Sequence, residues 1–268
     1  MAKVKEVLDV MKKIAPEQFA YNKEYDNVGL IVGDPESEVN RVLCCLDVTE
    51  DIIEEAISVG AGLIISHHPM IFRPIKSVTT LDVQGRKIFR AIQKGIAIYA
   101  AHTNLDFVRD GINEFVANEL ALMDIRPLEP YISDSEGFGR VGNLSGSMFA
   151  SVLKAKVKAL LKDDYVRIIG EPDSEVNRIA VINGAGGGDT SYIDMAIDAG
   201  ADCLITADVK HHVAVYAREM KLTVIEPQHF TMEYVYISRL VQILKIETLA
   251  GKIKLDIVQS KREVNPRS

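Results

Sequence analysis

Short apolar runs alternate with amphipathic helical stretches along these 268 residues, and that alternation restricts the chain to an α/β fold of βαβ units around a mostly parallel or mixed sheet. Val4, Val7, Leu8 and Met11 share one face of an opening helix at i, i+3, i+4, i+7 spacing. Residues 41–46 read as a buried strand, and Thr49 caps the helix after it, with Glu50 and Asp51 favouring the helix N-terminus. That helix carries Ile52, Ile53, Ala56 and Ile57 inward and stops at Gly60. A strand at 63–65 runs into Ser66-His67-His68-Pro69. After a helix at 83–94, the strand 96–99 ends at His102-Thr103-Asn104-Leu105-Asp106.

The order then repeats. Glu38-Val39-Asn40-Arg41 is matched by Glu175-Val176-Asn177-Arg178, Gly60-Ala61 by Gly200-Ala201, and His102-x-x-x-Asp106 by His229-x-x-x-Glu233. Three landmarks in one order predict two related α/β halves, 1–125 and 126–268, forming one structural unit. The C-terminal helix and strand are free to pack back on the first half. Pro127, Pro130, Gly137, Gly139, Gly142 and Gly146 predict an irregular connection over 124–146.

Composition excludes several functions. Lys and Arg number 31 against 38 Asp and Glu, a net charge of −7 that opposes a nucleic-acid binder while allowing a small anionic substrate held by a few local donors. Without Trp and with 6% aromatics, the chain has no stacking platform for single strands. No apolar run approaches the ~20 residues that span a bilayer, and the N-terminus lacks the apolar core of a signal peptide. Cys44, Cys45 and Cys203 form no Cys-x-x-Cys pair and read as small core residues. The expected location is the cytoplasm.

All six histidines, His67, His68, His102, His211, His212 and His229, fall at or just after predicted strand ends, where open α/β sheets bind ligands. Imidazole with carboxylate is an N/O ligand set suited to Zn, Mn, Fe, Co or Ni. Donors from two halves make a pair of metals a natural outcome, two ions activating one water near neutral pH. Each signal has a plainer reading: His67-His68 as a strand-end pair, His229 and Glu233 as an i, i+4 surface pair. His211-His212 reads as a rim or surface pair. The run Gly184-Ala185-Gly186-Gly187-Gly188 lies between a strand and a helix, where Gly186 and Gly187 offer N–H groups to a phosphate. A tight strand-to-helix turn explains that run equally well, and it completes no dinucleotide or P-loop fingerprint.

Tyr25-Asp26-Asn27-Val28-Gly29-Leu30, Ser66-His67-His68-Pro69, Ala101-His102-Thr103-Asn104-Leu105-Asp106, Gly139-Arg140-Val141-Gly142 and Gln228-His229-Phe230-Thr231-Met232-Glu233 resemble the Nif-three-like family. Its bacterial and archaeal members are described as GTP cyclohydrolase 1 type 2 homologues or dinuclear-metal-centre hexameric proteins. The resemblance implies two α/β halves with the metal site between them, and a toroidal homohexamer. It also implies two divalent ions per subunit on His67, His68, Asp106, His229 and Glu233, with Glu233 as the bridge and His102 behind the ligands. Gln228 stands where the family commonly has glycine, and the domain that some members insert between the halves is absent.

Two functions follow. One is a metal-dependent hydrolase acting on a nucleotide or related heterocycle, hydroxide attacking an electrophilic carbon such as C8 of guanine, with His102 and Asp26 as candidates for moving protons. The other is a non-enzymatic hexamer that binds metal or protein partners. The absence of a Cys-rich closed ligand set favours the first.

Overall fold

The apolar runs become short strands buried on both faces: Leu63–Ser66 and Ala97–Ala100 are buried at every position, as near-continuous apolar runs in a parallel sheet demand. The structure is a computed structural model that describes residues 2–21 and 25–267, the side chain of Ile132 excepted. It is a mixed α/β fold of two units. One runs to Leu105 and resumes at Ile237; the other covers Asp106–Tyr236.

In the first unit, five strands lie in the order Asp256–Gln259, Arg41–Cys45, Leu63–Ser66, Ala97–Ala100, Gly29–Val32. The first four are parallel and Gly29–Val32 closes one edge antiparallel. Helix α1 (Val4–Ile14) buries Val4, Val7, Leu8 and Met11, and the Glu6 carboxylate accepts from the Lys3 N–H at its start. Helix α2 (Glu50–Val59) begins where Thr49 Oγ1 accepts from the Ile52 N–H, and Asp82 caps α3 (Val83–Gln93) in the same way. Gly60 ends α2 in the left-handed conformation (φ 71°), and Gly200 takes φ 75° at the matching position of the other unit.

The second unit begins in the short helix α4 (Thr103–Phe107) and continues with α5 (Ile112–Glu119). Its six strands lie in the order Arg167–Ile169, Thr223–Glu226, Cys203–Ile205, Glu175–Val181, Arg140–Phe149, Met123–Arg126. The three from Glu175–Val181 to Thr223–Glu226 are parallel and the others antiparallel. Helix α6 (Ala150–Leu161) packs on this sheet, while α7 (Ser191–Asp198) and α8 (His211–Glu219) connect its parallel strands. Each unit thus contains β-α-β-α-β in the same order. The last helix, α9 (His229–Ala250), starts in the second unit and ends in the first.

The units divide after Leu105, and Met123–Arg126 pairs with Arg140–Phe149 in the second sheet. One expectation is corrected. The stretch 124–146 is not an irregular connection: it holds the hairpin Glu129–Ser133/Glu136–Phe138 and the start of the ten-residue strand Arg140–Phe149. Its glycines permit close strand approach. A Cβ at Gly137 would lie 2.2 Å from the Glu129 carbonyl oxygen.

Candidate metal centre

Parallel strands in register end side by side, so residues just past their C-termini meet at one edge of the sheet. In the first unit Asp47 lies beyond Arg41–Cys45, His67 and His68 follow Leu63–Ser66, and His102 follows Ala97–Ala100. The three imidazoles gather there, with ring centroids 5.0, 5.3 and 5.8 Å apart and one nitrogen from each within 4.8 Å of the others. This group could hold a metal ion.

Each ring is held by its Nδ1. His67 Nδ1 lies 2.9 Å from the Ala101 carbonyl oxygen, His68 Nδ1 2.8 Å from Asp47 Oδ1, and His102 Nδ1 2.6 Å from Asp26 Oδ1. A carbonyl oxygen only accepts, so His67 carries its proton on Nδ1, and Nε2 is the nitrogen that could coordinate a metal. Asp26 also accepts from the Thr103 hydroxyl and the Asn27 N–H. Burial alone would raise its pKa, but the bonds from His102, Thr103 and Asn27 outweigh burial and hold the carboxyl below its usual range. The register explains Asp26: Gly29 pairs with Ala100 in antiparallel sense, so the residues before one meet those after the other.

The second unit holds another donor group. His229 opens α9 just past Thr223–Glu226, with Nδ1 2.7 Å from Asp208 Oδ2 and Nε2 3.0 Å from Glu233 Oε2. Glu233 is 2% exposed, and its Oε1 accepts from Asn183 Nδ2 at 3.1 Å. The same amide donates to Asp106 Oδ1 at 3.0 Å, bringing Asp106, His229 and Glu233 into one hydrogen-bonded group.

His211 and His212 lie exposed in the first turn of α8, as a surface pair. The run Gly184–Gly188 forms a tight 3-10 turn. The Gly187 N–H donates to the Ala207 carbonyl at 2.9 Å, and a Cβ at Gly186 would lie 2.4 Å from Ile182 Cγ2. Close packing accounts for these glycines. The three cysteines are buried, which pushes their thiols up, Cys44 to about 12, so none supplies a thiolate near neutral pH.

Asp47 and Asp208, which orient His68 and His229, carry no motif of their own. Their signal is spacing: 21 residues separate Asp47 from His68, and 21 separate Asp208 from His229. In both cases the Asp ends one parallel strand and the His ends the next. Asn183 and Asn113, which organise the second group, have no comparable signature.

Imidazoles fixed through Nδ1, beside carboxylates past strand ends, define an α/β protein with groups that could hold a metal ion. The chain belongs to the Duf34/NIF3 (NGG1p interacting factor 3) family, whose model matches residues 2–266, and this bears out the resemblance of its motifs. It is 35% identical over 268 residues to a protein of Clostridium acetobutylicum named GTP cyclohydrolase 1 type 2 homolog, covering 98% of this chain and 97% of that one. The crystal structure of Staphylococcus aureus protein SA1388 superposes with a TM-score of 0.90 at 29% identity, over 99% of this chain and 98% of that one. A Bacillus cereus protein related to NIF3 shares the fold, with a TM-score of 0.91 at 24% identity over 99% and 98% of the two chains. Among the described residues, no helix is long and apolar enough to cross a membrane.

Proposed function

We propose that this chain is a dinuclear divalent-metal protein, with His67, His68, Asp106, His229 and Glu233 as ligands, acting as a hydrolase of GTP cyclohydrolase type on a nucleotide or related heterocycle. The observation that carries this reading is the common treatment of His67, His68, His102 and His229. Each ring has Nδ1 on a carbonyl or carboxylate oxygen, the arrangement that raises the basicity of Nε2 and aims it at a metal. The donor set of imidazole and carboxylate fits Zn, Mn, Fe, Co or Ni. When bound, such ions supply Lewis acidity and lower the pKa of water.

The chain's own residues have distinct tasks in this reading. His67, buried and keyed to the Ala101 carbonyl, is a rigid ligand. His229 Nε2 and Glu233 Oε2, 3.0 Å apart, would hold a cation together, and Glu233 is the proposed bridge. His102, anchored by the ionised Asp26, holds or moves a proton at Nε2. The relatives' name supports a purine nucleotide as the first substrate class to test. Assembly as a homohexamer and a cytoplasmic location complete the proposal, and light scattering giving the mass of one chain rejects the hexamer.

The test is metal content per chain after purification without chelator, beside the double variant His68→Ala, Glu233→Ala. About two ions in the wild type and almost none in the variant are expected. A wild type that stays metal-free after reconstitution overturns the reading. Metal-loaded protein giving no more ring-opened product from GTP than Glu233→Ala overturns the hydrolase and leaves a metal-binding protein.

A further inference from the structure

Asn183 lies two residues past the strand Glu175–Val181 and is 8% exposed. Its amide nitrogen has two hydrogens, and each meets a different carboxylate: Asp106 Oδ1 at 3.0 Å and Glu233 Oε1 at 3.1 Å. Ionised carboxylates only accept, so the amide orientation is fixed, NH2 toward both. One neutral side chain therefore sets the separation of two like charges and selects which oxygen of each is turned away from it.

Asn183 is itself held. Its backbone N–H donates to Asn113 Oδ1 at 2.7 Å, while Asn113 Nδ2 donates to the Asp106 carbonyl at 3.2 Å. Asn113 is fully buried, so this second amide ties the backbone of Asp106 to that of Asn183. Gly184 completes the bracket. At φ +64° it has no side chain, and a Cβ there would lie 2.5 Å from Glu233 Oε1, in the space the carboxylate uses to reach Asn183.

We infer that Asn183, fixed by Asn113 and given room by Gly184, is a positioning residue that presets the spacing of the Asp106 and Glu233 carboxylates for a divalent cation. The inference rests on the reading of those two carboxylates as metal ligands. In the metal-free chain the bracket offsets the mutual repulsion of the two carboxylates. With a cation present it keeps each carboxylate oriented, the task such outer partners perform at metal sites.

The test is Co2+ binding to wild type, Asn183→Ala and Gly184→Ala, followed by calorimetry and by the visible d–d absorption of the bound ion. Circular dichroism of the metal-free proteins is recorded alongside. Both variants should bind Co2+ about 10- to 100-fold more weakly, with shifted d–d bands at saturation, the loss expected when an outer partner of a ligand is removed. Gly184→Ala leaves the Asn183 side chain intact while crowding Glu233 Oε1 and adding left-handed backbone strain, so it retains the test if Asn183→Ala fails to fold. Folded variants with wild-type affinity and unchanged bands overturn this inference alone. A wild type that binds no Co2+ overturns the metal reading and this inference with it.

Discussion

Replacing Arg140 with Ala removes the most connected buried charge of the second unit. The side chain is fully buried, and its five N–H groups all have acceptors: Nε donates to Glu114 Oε2 at 2.9 Å, one terminal nitrogen to the carbonyls of Gly137 and Gly139, the other to those of Phe107 and Val108. Phe107 and Val108 directly follow Asp106, so the guanidinium fixes the backbone beside that carboxylate. Removing one partner of a buried ion pair costs about 3–5 kcal/mol, because the other charge stays buried. Glu114 is 16% exposed, and its other cation, the exposed Arg109, is 4.0 Å away, too far to compensate. Four carbonyls also lose a donor, so a total of about 4–6 kcal/mol is expected for Arg140→Ala. Arg140→Lys keeps the charge but has three donors on one atom and no planar fork, for a cost of about 2 kcal/mol. At about 2–4 °C per kcal/mol for a chain of this size, the Ala variant should melt about 10–15 °C lower and the Lys variant about 5 °C lower. Thermal unfolding followed by circular dichroism measures both. The double variant Arg140→Ala, Glu114→Gln should recover part of the loss, since it leaves no orphan charge. A melting temperature for Arg140→Ala within 3 °C of wild type refutes the reasoning.

Glu263 accepts from the N–H groups of Leu46 and Asp47, yet burial dominates and pushes its carboxyl up to about 7. Its folded pKa is above its unfolded one, so its contribution is present below about pH 4.5 and is lost as pH rises through 7; Glu263→Gln should be no more stable than wild type at pH 5 but up to about 3 kcal/mol more stable at pH 8, read from urea midpoints. Equal differences at the two pH values would contradict this. Gly60→Ala places a Cβ in open space but keeps the left-handed backbone, so only conformational strain is added; a loss of about 1 kcal/mol in denaturant unfolding is expected, less for Gly60→Asn. Asp208→Ala removes the acceptor that orients His229 and should weaken metal binding about 10- to 100-fold in calorimetry, with no comparable effect for exposed His212→Ala.

Much of the first unit was legible beforehand. The helix faces of Val4, Val7, Leu8 and Met11, the Thr49 cap and the Gly60 stop depend on neighbours within a turn or two, and they stand as the spacing predicts. The parallel strands were visible as apolar runs. The stretch 124–146 is not, because Pro and Gly locally signal breaks, whereas antiparallel pairing uses them at edges and close approaches. The strand at Asp256–Gln259 joins Arg41–Cys45, a pairing more than two hundred residues apart that no local pattern encodes.

The candidate site divides along the same line. Local order alone determined that histidines and acids cluster at strand ends, because strand length and turn position depend on nearby residues. Which oxygen each imidazole faces was decided by tertiary structure: Asp47 with His68, Asp208 with His229, Asp26 with His102. These partners meet because hydrogen-bonded strands bring distant segments into register. The role of Asn183 belongs there too, since one amide can separate two carboxylates only after the fold has set both within about 3 Å of its nitrogen.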